Sequence, residues 1–151
     1  RSFHVTGVQT CALPICRNQG SLTMASADQS GVLKLQRALK QGELVGMLPD
    51  QDPGQEGGIM APFFNNPVNT MTLLPRLAKK HNARVVMCWA NRLKKGRGFD
   101  LNFEPLDLTS SSDDLLEQVT LMNRAIEDLI RRFPDQYMWS YRRFKSTQSY
   151  N

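Results

Sequence analysis

The sequence has little cysteine and no long hydrophobic run. Its three cysteines, Cys11, Cys16 and Cys88, form no CxxC pair and stand at no metal-ligand spacing from a histidine. This pattern excludes a disulfide framework and a structural zinc site. The longest uncharged stretch of the body, Gly57–Pro75, contains three Asn and three Pro residues, so it cannot cross a bilayer as a helix. With 151 residues, 40% hydrophobic and 22% charged, the composition is typical of one globular domain.

Acidic residues are absent between Gly57 and Phe99. The same interval contains eight Lys and Arg residues, and the whole chain has a formal net charge of +5. A positive surface favours an anionic partner, such as a nucleic acid, an anionic lipid, a phosphorylated substrate or an acidic protein. A solvated basic surface without a partner is the alternative.

Familiar catalytic motifs are also missing. The sequence has no GxSxG elbow, no GxxxxGK[ST] loop and no Cys-His nucleophile pair. Five residues after His81 stands Val86, so no His-carboxylate pair is present there for general-base catalysis. A self-contained active site is therefore not visible.

The first residues differ from the rest of the chain. Val5–Ile15, with the sequence VTGVQTCALPI, resembles the translation of a common sequencing adapter, and Arg1–His4 fit adapter or index bases read in the same frame. We therefore interpret residues 1–16 as non-native and predict the fold from residues 17–151. The alternative for this segment is a short uncharged N-terminal strand.

Helical and strand patterns alternate along the chain, which predicts an α/β fold. The nearly continuous apolar run Val85–Ala90 is typical of a strand covered on both faces. The predicted elements are a helix from Ser26 or Ser30 to Gly42, a strand at Leu44–Leu48, a helix from Asn66 to His81 that Pro75 kinks or shortens, strands at Val85–Ala90 and Phe99–Glu104 in an antiparallel pair, and a helix from Ser111 or Ser112 to Phe133.

A predicted βαβ unit lies between Leu44 and Ala90. Its right-handed crossover brings Asp50-Gln51 and Asn91-Arg92 to the same carboxyl edge of a parallel sheet. Open α/β sheets bind ligands at that edge. The basic turn Lys94–Gly98 is expected at the same edge, where a cleft would concentrate its field.

Polar residues at two places could carry function. Asp50-Gln51 could position a polar ligand group, or form an ordinary turn before Pro53-Gly54. Asn123 lies close to the apolar stripe of the last helix, and Glu127 follows one turn later. We expect the side-chain amide of Asn123 to be buried, and we favour a structural hydrogen bond over a ligand contact as its role.

The C-terminal segment alternates aromatic and polar residues before a basic run. Such a segment suits a phosphate-bearing amphiphile, a membrane interface or stacked bases. Packing of the segment on the core is the alternative. The residues are Tyr137, Trp139, Tyr141, Arg142, Arg143 and Lys145.

Five ordered motifs together resemble the C-terminal half of the bacterial lipid A biosynthesis acyltransferases, the late lauroyl and myristoyl transferases of the lysophospholipid acyltransferase superfamily. Arg17 is a further match to an upstream Arg-containing motif, and Asn65 stands where the family usually has Gly. The motifs are Leu44–Gly54 (LVGMLPDQDPG), Ala61–Thr70 (APFFNNPVNT), Leu77-Ala78, Met122-Asn123 with Ile126-Glu127, and Pro134–Lys145 (PDQYMWSYRRFK).

The resemblance implies a partial glycerolipid-acyltransferase-like fold, with a mixed, mostly parallel sheet flanked by helices. It implies transfer of a fatty acyl chain from acyl carrier protein to a hydroxyl of a lipid A precursor, an acylated and phosphorylated disaccharide. The reaction belongs to lipopolysaccharide biosynthesis at the cytoplasmic face of the bacterial inner membrane. No cofactor, metal or nucleic-acid partner is implied.

The resemblance also assigns roles. The family's general base is a His followed five residues later by Asp or Glu; this chain lacks that motif and the usual membrane anchor, so it is predicted to be inactive alone. Asp50-Gln51 are expected to support the active site, and the arginines to contact phosphate. The residues carried over are Asp50, Gln51, Asn123, Glu127, Arg142, Arg143 and Arg17. Arg92 is a further candidate because of its expected place at the carboxyl edge of the sheet.

Three alternatives stay open. The chain could derive from a related phospholipid or glycolipid acyltransferase. It could be a basic α/β module that binds anions or nucleic acid, although that needs aromatic and basic residues on one sheet face and most aromatic residues here alternate as core positions do. It could also be a fragment with exposed apolar surface and an unpaired sheet edge.

Overall fold

The computed structural model describes residues 3–6, 22–54, 57–108 and 113–145. Within these ranges the chain forms three helices and seven strands, which confirms the α/β class. The helices are α1 (Gln29–Lys40), α2 (Leu73–His81) and α3 (Leu115–Arg132), and the strands are β1 (Phe3–Thr6), β2 (Leu22–Ala25), β3 (Leu44–Gly46), β4 (Gly58–Phe63), β5 (Asn66–Met71), β6 (Val85–Arg92) and β7 (Phe99–Leu106).

The strands form three small sheets. One is parallel, with the order β2-β1-β3, and two are antiparallel hairpins, β4-β5 and β6-β7. The described residues therefore do not form the single, mostly parallel sheet that was expected. The glycerolipid-acyltransferase-like fold stays a prediction. β1 lies inside the segment interpreted as an adapter translation, in the strand conformation stated as the alternative. A conformation does not bear on the origin of the residues, so that interpretation also stays a prediction.

The predicted βαβ pairing of β3 with β6 is wrong for the described residues. β6 pairs along its whole length with β7, from Val85 opposite Leu106 to Arg92 opposite Phe99. β3 and β6 instead both line an apolar cleft of about 650 Å³. The antiparallel pairing of β6 with β7 was predicted and is confirmed.

The first and the last helix, α1 and α3, form as predicted, but α1 is capped by a residue other than those expected. Asp28, rather than Ser26 or Ser30, caps α1: its carboxylate accepts the Gly31 N–H at 2.9 Å, and both serine hydroxyls donate to it. Asp114 caps α3 by accepting the Leu116 N–H. The predicted starts Ser111 and Ser112 lie outside the described residues.

The segment predicted as one helix from Asn66 forms a strand and a shorter helix. β4 and β5 form a hairpin joined by Phe64 and Asn65, whose φ angles of 47° and 60° are the paired left-handed values of a type I′ turn. Pro62 and Pro67 face each other one pair from the turn, where no ladder hydrogen bond is needed. Pro75 falls in the first turn of α2, whose N–H groups have no helical partner, so it causes no break.

The main core lies between α3 and the β4-β5 hairpin. A smaller core joins α1 to α2 through Leu35 and Leu77. The main core consists of Ala61, Phe63, Val68, Met71, Leu108, Val119, Met122, Ile126 and Ile130.

The β6-β7 hairpin is covered on one face only. Trp89 and Met87 face inward, whereas Val86 is 52%, Leu101 65% and Phe103 67% exposed. The expectation that β6 is covered on both faces, and that the aromatic residues of β7 are core positions, is therefore wrong. The prediction of exposed apolar surface is confirmed for this face.

Candidate functional site

A cavity of about 270 Å³ lies between the loop after β3, strand β6, the C-terminal half of α3 and the segment that follows α3. Its lining is mostly apolar, with polar residues contributed by the strand ends and by the C-terminal segment. The apolar lining includes Met47, Leu48, Met87, Trp89, Ile126, Leu129, Ile130 and Phe133, and the polar lining comprises Asp50, Asn91, Gln136 and Tyr137.

Residues from the two strand ends that were expected at one sheet edge both line this cavity, although the parallel sheet itself does not form among the described residues. Asp50 follows β3, Asn91 stands near the end of β6, and both line the cavity although the two strands are not paired. Arg92 is exposed and is not part of the lining. Its backbone N–H donates to Gln136 Oε1 at 2.7 Å, and its guanidinium carbon lies 5.5 Å from the centre of the Phe99 ring.

Burial makes Asp50 an unusual carboxylate. Loss of hydration raises its pKa above the ordinary 3.8, and a hydrogen bond from its own backbone N–H and the charge of Arg143 oppose the rise. Burial, followed by the negative charge of Asp50, also raises the pKa of Tyr137. The two groups thus share one poorly hydrated environment.

Several buried polar atoms around the cavity have no hydrogen-bond partner among the described residues. They are the Tyr137 hydroxyl, Trp89 Nε1 and Gln51 Oε1. Tyr137 and Trp89 line the cavity itself. Buried polar atoms are nearly always hydrogen-bonded in proteins, so these three atoms are exceptions, and each is shielded from a water-sized probe.

Arg143 lies next to this region and clamps the C-terminal segment to β5. Its side chain donates to the Asn69 carbonyl and, at 2.8 Å, to Thr70 Oγ1, and it packs over the Phe63 ring. Burial lowers its pKa, and neighbouring Tyr137, Tyr141, Asp52 and Asp50 counteract that effect. Arg143 as a whole is 2% exposed, so its contacts are those of a positioning residue, and the expected phosphate contact stays a prediction.

Asp52 is the second anchor of the C-terminal segment. Its carboxylate accepts from the Gly54 N–H and Asn69 Nδ2, and it pairs with Lys145 at 3.0 Å. Its backbone N–H donates to the Tyr141 hydroxyl at 2.8 Å. The loop after β3 and the C-terminal motif are therefore one unit, which fixes Asp50 beside Tyr137.

Asn123 and Glu127 attach α3 to the β4-β5 hairpin. Asn123 Nδ2 donates to the Pro62 carbonyl at 2.9 Å and to Thr70 Oγ1 at 3.1 Å. This is the structural hydrogen bond favoured from the sequence. Glu127 Oε1 accepts the Phe64 N–H at 2.8 Å, and its other oxygen pairs with Arg131 at 2.7 Å.

The remaining predicted site residues that the structure describes do not line the cavity. Arg142 is exposed and makes no hydrogen bond or ion pair with another described residue. Arg17 lies outside the described residues. The basic turn Lys94–Gly98 is exposed and also does not line the cavity.

Sequence reasoning did not single out Asp52 and Trp89. An Asp before Pro-Gly has the pattern of an ordinary turn, so nothing marks Asp52 as a buried anchor. Trp89 stands in an apolar run, where only the identity of a buried N–H donor hints at a polar partner.

Two further findings concern the described residues. In these ranges, no group of three His, Cys, Asp or Glu side chains comes together to hold a metal ion. Among the helices of these ranges, none combines the length and the apolar character needed to cross a membrane.

Comparison with known proteins places the chain in a family. The family described as "Bacterial lipid A biosynthesis acyltransferase" matches residues 16–146. The chain is 34% identical over 120 residues to the lipid A biosynthesis lauroyltransferase of Escherichia coli, which covers 79% of this chain and 38% of that protein. It is 36% identical over 113 residues to the E. coli palmitoleoyltransferase, covering 72% and 36%.

A third relative, the lipid A biosynthesis myristoyltransferase of E. coli, is 29% identical over 125 residues, covering 80% of this chain and 37% of that protein. The chain thus spans well under half the length of the relatives it matches. The match contains all five motifs that carried the resemblance. The chain belongs to the bacterial lipid A biosynthesis acyltransferase family.

Proposed function

We propose that this chain is part of an acyltransferase of lipid A biosynthesis, which moves a fatty acyl chain from acyl carrier protein to a hydroxyl of a phosphorylated lipid A precursor. The observation that carries the proposal is the family match across residues 16–146. The names of the relatives describe lauroyl, palmitoleoyl and myristoyl transfer in lipid A biosynthesis.

The surface of the chain is compatible with these partners. Arg92, Lys94, Lys95 and Arg97 are exposed around the tip of the β6-β7 hairpin. Basic groups at one tip attract an acidic carrier protein, substrate phosphates or anionic lipid headgroups. Work at the cytoplasmic face of the bacterial inner membrane is part of the same proposal.

The isolated chain is proposed to be inactive. The sequence has no His followed five residues later by Asp or Glu, so the group expected to deprotonate the acceptor hydroxyl is missing. The cavity would then support a base that another part of the enzyme supplies. Asn123 and Glu127, which attach α3 to the β4-β5 hairpin, would have the same supporting role.

A chimaera tests the function. Residues 17–145 replace the matching part of the E. coli lauroyltransferase, and the chimaera is expressed in a strain that lacks this enzyme. Mass spectrometry of lipid A is expected to show a restored acyl chain. The matched control replaces the histidine of the HxxxxD/E motif in the relative's part by Ala and is expected to abolish the gain.

Two results would contradict the proposal. A chimaera that resists limited proteolysis like the parent enzyme, yet adds no acyl chain, would show that this segment does not belong to such a transferase. Acyl transfer by the isolated 151-residue chain would contradict the proposed need for an external base.

A basic nucleic-acid-binding module is the second candidate function, because the structure provides one feature that it requires. Phe99, Leu101 and Phe103 are exposed on the β6-β7 face that also carries Arg92. Aromatic rings beside cations suit stacked bases. Binding of generic single-stranded DNA with a steep salt dependence, measured by fluorescence anisotropy, would support this function.

A further inference from the structure

We propose that one face of the β6-β7 hairpin docks on a bilayer that contains anionic phospholipids. The inference deepens the proposed function, on which its biological role rests, because that function places the enzyme at a membrane without naming the surface that meets the lipid. This outer face consists of four pairs of residues that lie opposite each other in the two strands: Val86 with Pro105, Cys88 with Phe103, Ala90 with Leu101, and Arg92 with Phe99.

The outer face is apolar and open. Opposed residues of an antiparallel pair project to the same side of the ladder, and all members of the four pairs are exposed. Phe99, Leu101 and Phe103 are 59%, 65% and 67% exposed. Arg92 is the one charged member of the face, and it stands at the end next to the turn. A contiguous apolar surface of this kind marks an interaction site.

The acidic residues of the hairpin lie on its other face. Asp100 stands opposite Asn91 and Glu104 stands opposite Met87, at positions that alternate with those of the outer face. Glu104 also pairs with Arg132 of α3 at 2.9 Å, so its carboxylate is turned toward the body of the protein. The outer face therefore presents no negative charge to an anionic surface.

Four cations surround the end of the outer face and form a basic tip. Arg92 ends β6, Lys94, Lys95 and Arg97 follow in the turn, and all four are exposed. None of them forms an ion pair with an acidic residue that the structure describes. Cations beside an anionic bilayer are attracted to its headgroups, and long basic side chains can reach these groups while apolar neighbours enter the interface.

An exposed tryptophan is tethered to the same tip. Gln136 Oε1 accepts the Arg92 backbone N–H at 2.7 Å, which holds the start of the C-terminal segment beside the end of β6. Trp139 follows three residues later and is 57% exposed, and its indole N–H donates to the Pro134 carbonyl. Tryptophan is enriched at the level of lipid headgroups, so its place near the tip favours a bilayer as the partner.

Other partners match the hairpin less well. A second copy of the chain would cover the apolar face but leave the basic tip without counter-charges, because the acidic residues of the hairpin lie on the opposite face. A nucleic acid needs cations spread among the aromatic residues along its path, whereas the cations here stand at one end. An anionic bilayer offers an apolar interior to the face and phosphate groups to the tip.

Binding to vesicles tests the inference. The 151-residue chain is mixed with vesicles of phosphatidylglycerol and phosphatidylcholine in equal parts, or of phosphatidylcholine alone, and the bound fraction is measured by flotation. We expect binding to the anionic vesicles to be about tenfold tighter or more, and to weaken as the salt concentration rises, because the cations of the tip are exposed to screening.

Cys88 reports whether the outer face itself meets the lipid. It is an exposed free thiol opposite Phe103, and the changes Cys11→Ser and Cys16→Ser leave it as the only cysteine for a polarity-sensitive dye. The dye is expected to brighten and to shift to the blue on anionic vesicles. The control carries the same dye at Leu33→Cys on α1, in a chain without the native cysteines, and is expected to show no change.

A pair of charge variants tests the tip. Lys94→Gln with Lys95→Gln removes two cations, keeps long side chains and is expected to weaken binding to anionic vesicles about tenfold or more. Arg37→Gln with Lys40→Gln is the matched control, because it removes the same charge from exposed positions of α1. It is expected to change binding less than about threefold.

A pair of apolar variants tests the face. Leu101→Thr with Phe103→Thr keeps residues that favour strands and removes two large apolar side chains, so it is expected to weaken binding about tenfold or more. Leu33→Thr is the control for loss of an exposed apolar residue elsewhere and is expected to bind like the parent chain. Circular dichroism checks that each variant is folded.

Four outcomes would overturn the inference. They are equal binding to anionic and neutral vesicles, an unchanged Cys88 dye on anionic vesicles, oligomers of the chain that anionic vesicles do not disperse, and single-stranded DNA that displaces the chain from the vesicles at an equal concentration of phosphate. The third would assign the face to a second copy, and the fourth would assign it to nucleic acid.

The chimaera separates this inference from the proposed function. A Cys88 thiol that reacts with maleimide in the isolated chain but not in an active, detergent-solubilised chimaera would show that the rest of the enzyme covers the face, which refutes docking and leaves the acyltransferase intact. Docking of the isolated chain together with an inactive chimaera would refute the acyltransferase proposal alone.

Discussion

Asp50 is a carboxylate that the folded chain holds in a poorly hydrated place, and this has a consequence for stability. Its pKa is raised above 3.8 mainly by burial. Below pH 3.8 both the folded and the unfolded chain carry the proton. As the pH rises past 3.8, the unfolded chain releases the proton first, so the free energy of unfolding falls until the folded carboxyl ionises too.

Asp50→Asn is therefore expected to stabilise the chain at pH 7, by about 0.5 to 1 kcal/mol, and to have little effect at pH 3. Thermal unfolding followed by circular dichroism at both pH values measures this. Asp28→Ala is the control with the opposite sign: hydrogen bonds from Ser30 and Gly31 lower the pKa of the Asp28 carboxyl to about 2, so this variant is expected to be destabilised more at pH 7 than at pH 3. Equal melting temperatures of Asp50→Asn and the parent at pH 7 would refute the argument.

Two variants of Glu127 distinguish the contribution of a hydrogen bond to stability from that of an ion pair. Its Oε1 accepts the Phe64 N–H, and its Oε2 pairs with the half-exposed Arg131. Glu127→Ala leaves the part-buried Phe64 N–H without an acceptor and is expected to cost about 1 to 3 kcal/mol. Glu127→Gln keeps an acceptor, loses only the ion pair and is expected to cost about 1 kcal/mol or less. Urea unfolding measures both, and equal costs would show that the ion pair matters more than the hydrogen bond.

At the residue scale the sequence predicts some partners and not others. The buried amide of Asn123 was expected to make a structural hydrogen bond, because its position on a helical stripe is periodic and therefore readable. Asp50 and Asn91 both line the cavity, but the parallel sheet edge at which they were expected to meet does not form among the described residues. The Asp52 anchor was not predicted, because its partners Asn69 and Lys145 lie far away in the sequence and no local pattern points to them.

The β4-β5 hairpin is the element that sequence patterns misread. Val68, Met71, Leu74 and Leu77 have helical spacing, and the prolines at 62 and 67 argue against a paired strand. The prolines are accommodated because they face each other at a position that needs no ladder hydrogen bond. The turn at Phe64-Asn65 is also difficult to predict from the sequence, because the pair lacks the glycine of the commonest type I′ turns.

The turn makes a prediction about Asn65. Its φ of 60° is tolerated by Asn, is free of strain for Gly and is costly for a β-branched residue. Asn65→Gly is expected to be neutral or stabilising by about 0.5 kcal/mol, and Asn65→Val to destabilise by about 1 to 2 kcal/mol. Thermal unfolding measures both changes.

Asn66→Val serves as the control for this pair, because Asn66 is exposed and already extended in β5. It is expected to change stability by less than about 0.5 kcal/mol. A Val at position 65 that proves as harmless as a Val at position 66 would mean that the turn does not have the left-handed geometry.

At the scale of the whole molecule, the three sheets remain separate, and this has a physical reason. The sequence predicts that β3 and β6 are neighbours in one parallel sheet, yet an apolar cleft of about 650 Å³ lies between them in the described part of the chain. Strand type and order along the chain are local properties that sequence patterns report. Sheet order depends on long-range packing, and a pattern within β6 is the same whether its outer face is covered or exposed.

The exposed face of the β6-β7 hairpin makes the last prediction. Phe99, Leu101 and Phe103 are each more than half exposed, and β6 places Val86 beside them. A contiguous apolar face on a short hairpin promotes association of exposed chains, because burying it against a second copy removes apolar surface from water. The isolated 151-residue chain is therefore expected to form concentration-dependent oligomers in light-scattering measurements after gel filtration. The double variant Leu101→Lys with Phe103→Lys is expected to shift it toward the monomer.

Leu33→Lys provides the matched control, because Leu33 is 54% exposed but lies on α1, away from the apolar sheet face. Its substitution adds the same kind of charge and is expected to leave the oligomers unchanged, since an isolated exposed leucine is normal on a protein surface. Equal dispersal by Leu33→Lys would mean that added charge alone keeps the chains apart. Oligomers that persist in the double variant would assign the association to another surface, such as the edge of β6 that pairs with no strand among the described residues.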